Sequence, residues 1–453
     1  MTERHRAMRP MDSSSGNGRR SGLLLAFPSS NQNVRADLHA LQGAGMLTLF
    51  CTTIAWRHGR GLFGILPRPI RQELARRAFD GIDPARISTF PTREVIRLIA
   101  SRLGISVLTR HETGWASVDR VSKQFDHHVA HLIRRRSLDA AAVYAYEYAA
   151  LRSFEAAAER GMRRFYELPT GYWRVGLKIL TEERERNPEW AQTLDLLQDS
   201  AQKREHKDAE IRAADHIIVP SAFVRETLRE HPDINATIDV IPYGAPDPKS
   251  VPRAPRARSR ADKLRLLYVG NLTQLKGISY LFSAMLSLRG AATLTLAGAK
   301  PSADCPKLTA ALKEHTWLGA VPHQRVLEIM AQHDVLVFPT LFDGFGLVIL
   351  EAMSQGLTVI TTPNAGGSSV IDDGKDGFVV PIQDAEAIAK RVMELADDRE
   401  RLFAMGAAAV KKAELLSWAA RAGTFLEILG KRLSISIPET RVLRRGSPAL
   451  NAW

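Results

Sequence analysis

Residues 333–381 read HDVLVFPTLFDGFGLVILEAMSQGLTVITTPNAGGSSVIDDGKDGFVVP. VLVFPT (335–340), TVITT (358–362) and FVVP (378–381) are short apolar runs without polar alternation, the pattern of strands buried on both faces. Between the first two, the apolar stretch from Leu347 to Gln355 has the length of a short helix, and Gly356 supplies its stop. Strand, helix, strand with unbroken apolar strands predicts an α/β fold: a parallel sheet covered by helices on both faces.

The same pattern extends upstream. LRLLYV (264–269) and TLTLAG (293–298) read as strands flanking a helix at about 277–288. Helices follow over 384–397 and 399–412, and a last one starts at Ser417. The first half repeats the theme with LLLAFP (23–28), ISVLTR (105–110), AAVYAY (141–146), RRFYEL (163–168) and HIIVP (216–220) as expected strands. Helical stretches such as 31–49, 147–160 and 189–214 lie between them. APDPKSVPRAPRARSRAD (245–262) breaks the pattern with four prolines and four arginines, the composition of a linker.

A chain of 453 residues exceeds one ordinary core, and the linker divides it into two doubly wound domains. The expected organisation is a polar leader (1–20), a first domain (21–244), the linker (245–262) and a second domain (263–416). A closing helix (417–433) and a basic tail (434–453) complete it. With 45% hydrophobic and 25% charged residues the composition is that of a soluble globular protein. Nothing approaches a membrane span, and the Arg-rich leader lacks the apolar core of a secretory signal. Two distant cysteines, Cys51 and Cys305, provide no disulfide framework and fit a reducing compartment. The net charge of +13 is dispersed in short clusters with no nucleic-acid motif, so a solvated or membrane-facing surface is expected and nucleic acid is not.

Two doubly wound sheets bind ligands at the carboxyl edges of their strands. Asp343 falls in the loop at such an edge, where Gly344 and Gly346 permit a tight turn; a plain helix-start role would also suit it. Glu351 stands among Leu347, Val348, Ile349, Leu350, Ala352 and Met353, and a buried carboxylate needs a polar partner. A ribose diol would serve. In LRLLYVGNLTQLKGISYL (264–281), Gly270 and Gly277 bracket a strand-to-helix turn carrying Lys276, which suits a phosphate or is simply a connection. His127, His128 and His131 have helical spacing without a further clear ligand and read as a solvated or cleft-lining helix face.

These pieces, in this order, resemble the donor-site signature of glycosyltransferase family 4, retaining nucleotide-sugar enzymes of the GT-B fold. The likeness continues through LGAVPHQRVLEIM (318–330), YVGNLTQLKG (268–277), and back to ADHIIVPSAFVRETL and IDVIPYG (214–244). The resemblance implies that Glu351 binds the nucleotide ribose and that Asp343 contacts the donor sugar near the transferred carbon. The family has a longer glutamate at that first place, which leaves the sugar's identity open. Backbone at Gly344, Phe345, Gly346 and Leu347 would meet the sugar or diphosphate, and backbone around Gly319 to Pro322 the base. Lys276 would pair with the leaving diphosphate. Asn271 stands where the family commonly has arginine, so more of that charge falls to Lys276.

In the first domain, Ser29, Ser30 and Asn31 replace a glycine-rich loop and suit a helix cap. Glu167 stands where a histidine is usual, and Glu147 is a second acid at the cleft edge; either would contact or deprotonate an acceptor hydroxyl. Aromatics of TGYWR (170–174) would pack or stack on an acceptor. The implied activity is retaining transfer of a sugar from a nucleoside diphosphate sugar to a saccharide or lipid-linked saccharide, in cell-envelope or exopolysaccharide biosynthesis. No cofactor or metal is expected. The implied setting is cytoplasmic, peripheral on the inner membrane face, with an anionic membrane surface as a further partner. The alternative is a non-catalytic nucleotide-sugar-binding protein of the same fold.

Overall fold

The computed structural model describes residues 22–56, 75–194, 198–248 and 262–435. The expected leader, most of the linker and most of the tail lie outside the described residues. In the first half, β1 (Leu23–Ala26), β2 (Leu47–Thr52), β3 (Ile87–Thr89), β4 (Ala142–Tyr146), β5 (Arg163–Glu167), β6 (His216–Val219) and β7 (Thr237–Val240) form one sheet. Its order is β3-β2-β1-β4-β5-β6-β7 and its pairings are parallel. In the second half, β8 (Leu264–Val269), β9 (Ala292–Ala297), β10 (Thr316–Trp317), β11 (Val335–Phe338), β12 (Thr358–Thr361) and β13 (Gly377–Val379) form the other. Its order is β10-β9-β8-β11-β12-β13, again parallel.

Every residue of β1, β11 and β12 is buried, because helices cover both faces of each sheet; this is why their apolar runs do not alternate. The chain reverses its winding between β1 and β4 in the first sheet and between β8 and β11 in the second. Loops leaving those strands diverge and open a crevice at the carboxyl edge. The two domains are therefore Rossmann-like.

One expected strand is a helix. ISVLTR (105–110) forms a single turn over Ser106–Thr109, following the helix Thr92–Arg102, with Ile105 and Val107 exposed. Its β-branched residues suit a strand, but it lies at the surface with no sheet neighbour to pair with. Conversely β2, β3, β7 and the two-residue β10 are strands that the sequence reading does not single out. β2 begins just after the Gly45 turn, where its apolar residues extend the helical pattern of 31–49.

The helix Trp418–Leu433 packs on the helix Gln32–Gly43 of the first domain. Ala422, Phe425, Leu426 and Leu429 join Leu38 and Leu41 in one core, and each fully buried large side chain contributes about 2 kcal/mol. Arg421 makes a buried ion pair with Asp37, and Arg432 pairs with Asp239 at 2.6 Å. In return, the segment after the helix Trp173–Arg186 enters the second domain's core, with Trp190 stacked on Phe282. Buried Glu183 accepts hydrogen bonds from Gln274 (2.7 Å), Gln383 (2.6 Å) and Tyr280 (2.9 Å). Those donors replace water around a carboxylate that would otherwise cost several kcal/mol to bury. The domains are thus tied by two exchanges of chain as well as by the linker. No helix among the described residues is long and apolar enough to cross a membrane.

Candidate active site between the two sheets

The turn after β8 brings Lys276 to the carboxyl edge, and the loop after β11 brings Asp343 to meet it in an ion pair. Gly277 makes the approach feasible. It has φ 68°, and a Cβ there would stand 2.0 Å from the Pro339 carbonyl oxygen. Asp343 accepts a second hydrogen bond from its own loop, from Phe345 N–H at 3.1 Å, so that amide is engaged within the protein. Gly346 and Leu347 follow, and the helix Val348–Ser354 begins there.

Glu351 lies on that short helix with its side chain mostly covered, and His323 Nε2 lies 2.9 Å from its Oε1. His323 opens the helix His323–Met330 just after Pro322. The polar partner that the burial of Glu351 demanded is therefore a histidine 28 residues upstream. Asn271 is exposed just past β8, with its carbonyl accepting from the Tyr268 hydroxyl at 2.7 Å. Gly319 follows β10, and its carbonyl accepts from Gly298 N–H at 2.8 Å. Asn271, Lys276, Gly319 and Asp343 thus all follow strand ends on one edge of the second sheet, and Glu351 stands on the helix behind that edge.

The first domain faces that edge at close range. Ser221 donates to the Gly344 carbonyl at 2.6 Å, and Ser369 accepts from Ala222 N–H at 2.7 Å. A Cβ on Gly344 would stand 1.7 Å from the Pro169 carbonyl oxygen. Beside this contact lies a cavity lined by Thr170, Trp173, Arg204 and Lys207 from one domain and Lys276 and Asp343 from the other. Charges alternate around it. Lys207 sits 3.4 Å from Glu147 and 3.2 Å from Asp199. Burial disfavours its ammonium, but those two carboxylates outweigh burial and hold it above the usual lysine range.

Glu147 is set back from the cavity wall and is reached through Thr170, whose hydroxyl donates to it at 3.1 Å. Trp173 lines the cavity with its indole N–H on Asp208 at 2.6 Å, and the guanidinium groups of Arg174 and Arg204 lie 4.8 and 5.3 Å from its ring. Tyr172, by contrast, packs in the interior.

Glu167 does not line this cavity. At 1% exposure it accepts from Asn33 at 2.9 Å, Tyr243 at 3.4 Å and the Tyr144 hydroxyl. Burial raises its pKa, against the pull of Arg421 and those hydrogen bonds. Asp37, fully buried next to Arg421, is pushed up by burial to about 7. The Tyr243 ring stands 5.2 Å from Phe345, so this network supports the Asp343 loop from beneath. Asn31 caps the helix Gln32–Gly43 by accepting from Val34 N–H at 3.0 Å.

Of the three helix histidines, His128 stacks on Phe90 at 4.6 Å while His127 and His131 are exposed. A different trio, His111, Glu112 and Asp199, brings ligand-type atoms within 4.8 Å of one another. The Lys203 ammonium occupies that spot, 3.1 Å from His111, 2.7 Å from Asp199 and 2.8 Å from Asp119. A lysine there supplies the positive charge a metal would bring. His323 and Tyr243 lie in stretches that carry the resemblance and Arg421 in the closing helix, but the sequence alone assigns none of them a role. Their partners are 28, 76 and 384 residues away.

Residues 263–398 match the family described as Glycosyl transferases group 1, which makes that segment a domain of this type. The chain is 27% identical over 274 residues to the D-inositol 3-phosphate glycosyltransferase of Corynebacterium aurimucosum. The match covers 56% of this chain and 65% of that one. It is 30% identical to the glycogen synthase of Mycobacterium tuberculosis over 42% of this chain and 47% of the relative. The chain therefore spans about half to two thirds of the length of these relatives. Among solved structures, sucrose-phosphate synthase of Thermosynechococcus elongatus superposes with a TM-score of 0.63 at 18% identity, covering 92% of this chain and all of that one. Anabaena HepE, solved in complex with UDP, gives 0.60 at 14%, covering 90% and 100%. At such identities the likeness shows the fold: two facing Rossmann-like domains of GT-B type.

Proposed function

We propose that this chain, whose residues 263–398 form a glycosyl transferases group 1 domain, is a retaining glycosyltransferase. It moves a sugar from a nucleoside diphosphate sugar to a hydroxyl of a saccharide or lipid-linked saccharide. The observation that carries the reading is the Lys276–Asp343 pair, held where the second sheet reverses its winding and facing the first domain across a lined cavity. A cation and an anion at that point match the two charges of the reaction.

As the bond between the sugar C1 and the phosphate oxygen breaks, negative charge grows on the leaving diphosphate and positive charge on the sugar. Lys276 stabilises the first and Asp343 the second. The acceptor oxygen bonds to C1 on the face the phosphate leaves, and its proton passes to a departing phosphate oxygen. Configuration is kept and no further co-reactant is needed. Glu351, backed by His323, takes the ribose hydroxyls, and Gly319 lies where the base would sit. Thr170 and Trp173 form the acceptor wall, with Glu147 one hydrogen bond behind it. Glu167 acts as a positioning residue, through Tyr243 and Phe345. The close interdomain contacts at Gly344 exclude water that would otherwise hydrolyse the donor.

The test is a thermal-shift screen against UDP, GDP and ADP sugars, because a ligand that binds only the folded state raises its melting temperature. The donor that stabilises is then offered with saccharide acceptors, and the anomeric configuration of the product is read by NMR. An absence of any stabilising nucleotide sugar overturns the donor site. Binding without turnover for any acceptor favours the non-catalytic alternative, and an inverted product overturns retention.

A further inference from the structure

The surface of the first domain carries a feature that the transfer reaction does not use. Of the twelve large hydrophobic residues exposed among the described residues, seven fall between positions 95 and 118: Val95, Ile99, Leu103, Ile105, Val107, Trp115 and Val118. Val95, Ile99 and Leu103 recur every four residues along and just past the helix Thr92–Arg102, so they form one stripe. Ile105 and Val107 extend it through the next turn, and Val118 opens the helix Val118–Arg135. Leu103 is 68% and Val107 66% exposed, values at which a scattered surface residue would be unremarkable but a cluster is not.

Among the described residues of this segment, the exposed arginines outnumber the carboxylates at the surface. Arg102, Arg110 and Arg120 are exposed, and Arg93 lies 4.3 Å over the Trp115 ring. The acids of the same segment are withdrawn. Glu94 is buried between Arg77 and Arg97, Asp119 is buried on Lys203, and Glu112 is turned onto Ser200. The patch presents apolar side chains and guanidinium groups outward, with Glu94 and Asp119 buried and Glu112 engaged by Ser200.

We propose that this patch seats the protein on an anionic lipid bilayer. Apolar side chains enter the boundary between headgroups and acyl chains, while the arginine rim meets lipid phosphates and Trp115 sits at headgroup depth. A second copy of the chain is a poorer occupant. A two-fold contact would place the patch on itself and bring one arginine rim against another. The location also suits the cleft. Asp119, one residue after Val118, is joined by Lys203 to Asp199, and Asp199 lines the interdomain cavity. A bilayer against the patch lies beside the acceptor wall, within reach for a saccharide whose lipid remains in the membrane. The binding claim itself does not rest on the glycosyltransferase reading, because it concerns lipid and not sugar.

The experiment is vesicle flotation of the full chain with phosphatidylcholine vesicles and with vesicles of phosphatidylcholine and phosphatidylglycerol, at low and high salt. The protein is expected to float with the phosphatidylglycerol vesicles and to be released as salt rises. Arg102→Glu and Arg120→Glu are each expected to lower partitioning about fivefold or more. The double variant Leu103→Glu and Val107→Glu is expected to abolish flotation while leaving the melting temperature within a few degrees of the parent. Trp115→Phe removes a blue shift of tryptophan fluorescence on vesicle addition. Equal flotation of the Leu103/Val107 variant overturns the proposal, because it assigns binding to charge spread over the whole surface. Failure to float with either vesicle overturns it too. A wild-type dimer that the same variant converts to monomer assigns the patch to a second copy instead.

Discussion

Lys276 and Asp343 form an ion pair that joins the loops leaving β8 and β11, the strands that flank the switch point of the second sheet. The pair places opposite charges where a sugar–phosphate bond would be cleaved. Lys276→Ala is expected to lower turnover about 100-fold to 1000-fold, the scale of losing one preorganised charge stabiliser. Asp343→Ala is expected to lose a similar factor. Asp343→Glu keeps the carboxylate and adds one methylene, and is expected to stay within about tenfold of wild type. Initial rates with the donor identified by thermal shift check all three. Full activity in Lys276→Ala would remove the pair from the mechanism.

Glu351 and His323 make a second pair, 2.9 Å apart, on the helices behind the same edge. If Glu351 holds the ribose, Glu351→Ala deletes a hydrogen bond to a charged group and should weaken nucleoside diphosphate binding by about 2 kcal/mol. That is roughly 30-fold in Kd. Inorganic pyrophosphate, which has no ribose, should bind both proteins alike. His323→Ala is expected to cost less, about threefold to tenfold, because it orients the acid and need not touch the ligand. Calorimetric titration with both ligands separates these outcomes, and equal losses for the two ligands would contradict the ribose assignment.

The sequence disclosed the second half more fully than the first. VLVFPT, TVITT and LRLLYV lie in a sheet covered on both faces, so burial itself wrote continuous apolar runs that can be read without coordinates. ISVLTR misled because β-branched residues favour a strand only where a neighbouring strand is present, and at 105–110 the chain is on the surface. The same exposure that defeated the strand reading is what makes Ile105 and Val107 part of the basic, apolar patch. In the site, Asp343 and Lys276 were legible because each follows an obvious strand. His323 and Arg421 were not, because their roles arise from pairing across 28 and 384 residues of sequence. Glu167 was legible as an acid at a strand end, but its burial came from Tyr144, Tyr243 and Asn33, which only the fold assembles.

Two glycines test the approach of the loops. Gly277→Ala forces a Cβ into φ 68° and into the Pro339 carbonyl, so about 1–3 kcal/mol of stability should be lost together with the Lys276 geometry. Gly344→Ala puts its Cβ against the Pro169 carbonyl of the other domain. Strain there falls on the contact between domains rather than on either core. The expected result is a near-normal melting temperature with a larger radius of gyration by X-ray scattering, and more hydrolysis of donor relative to transfer. An unchanged scattering profile would show that the interdomain contact yields without opening.

Asp37, Glu167 and Arg421 put two carboxylates and one guanidinium in the same buried network, leaving one negative charge in excess. Burial raises both carboxyl pKa values, Asp37 to about 7, so the folded protein holds a proton that the unfolded chain releases near pH 4. Where the folded state binds more protons, stability falls as pH rises. The stabilisation of the protonated form is thus present at acid pH, declines from about pH 4 and is gone above about pH 7. Glu167→Gln removes the excess charge and leaves Asp37 and Arg421 as a balanced pair. It should flatten the decline in melting temperature across that window, making the variant relatively more stable at pH 8 than at pH 5. Asp37→Ala leaves Arg421 facing Glu167 without its closest partner and should destabilise by about 3 kcal/mol. Melting curves from pH 5 to pH 8 decide the matter: parallel curves for wild type and Glu167→Gln would mean that no proton is held there.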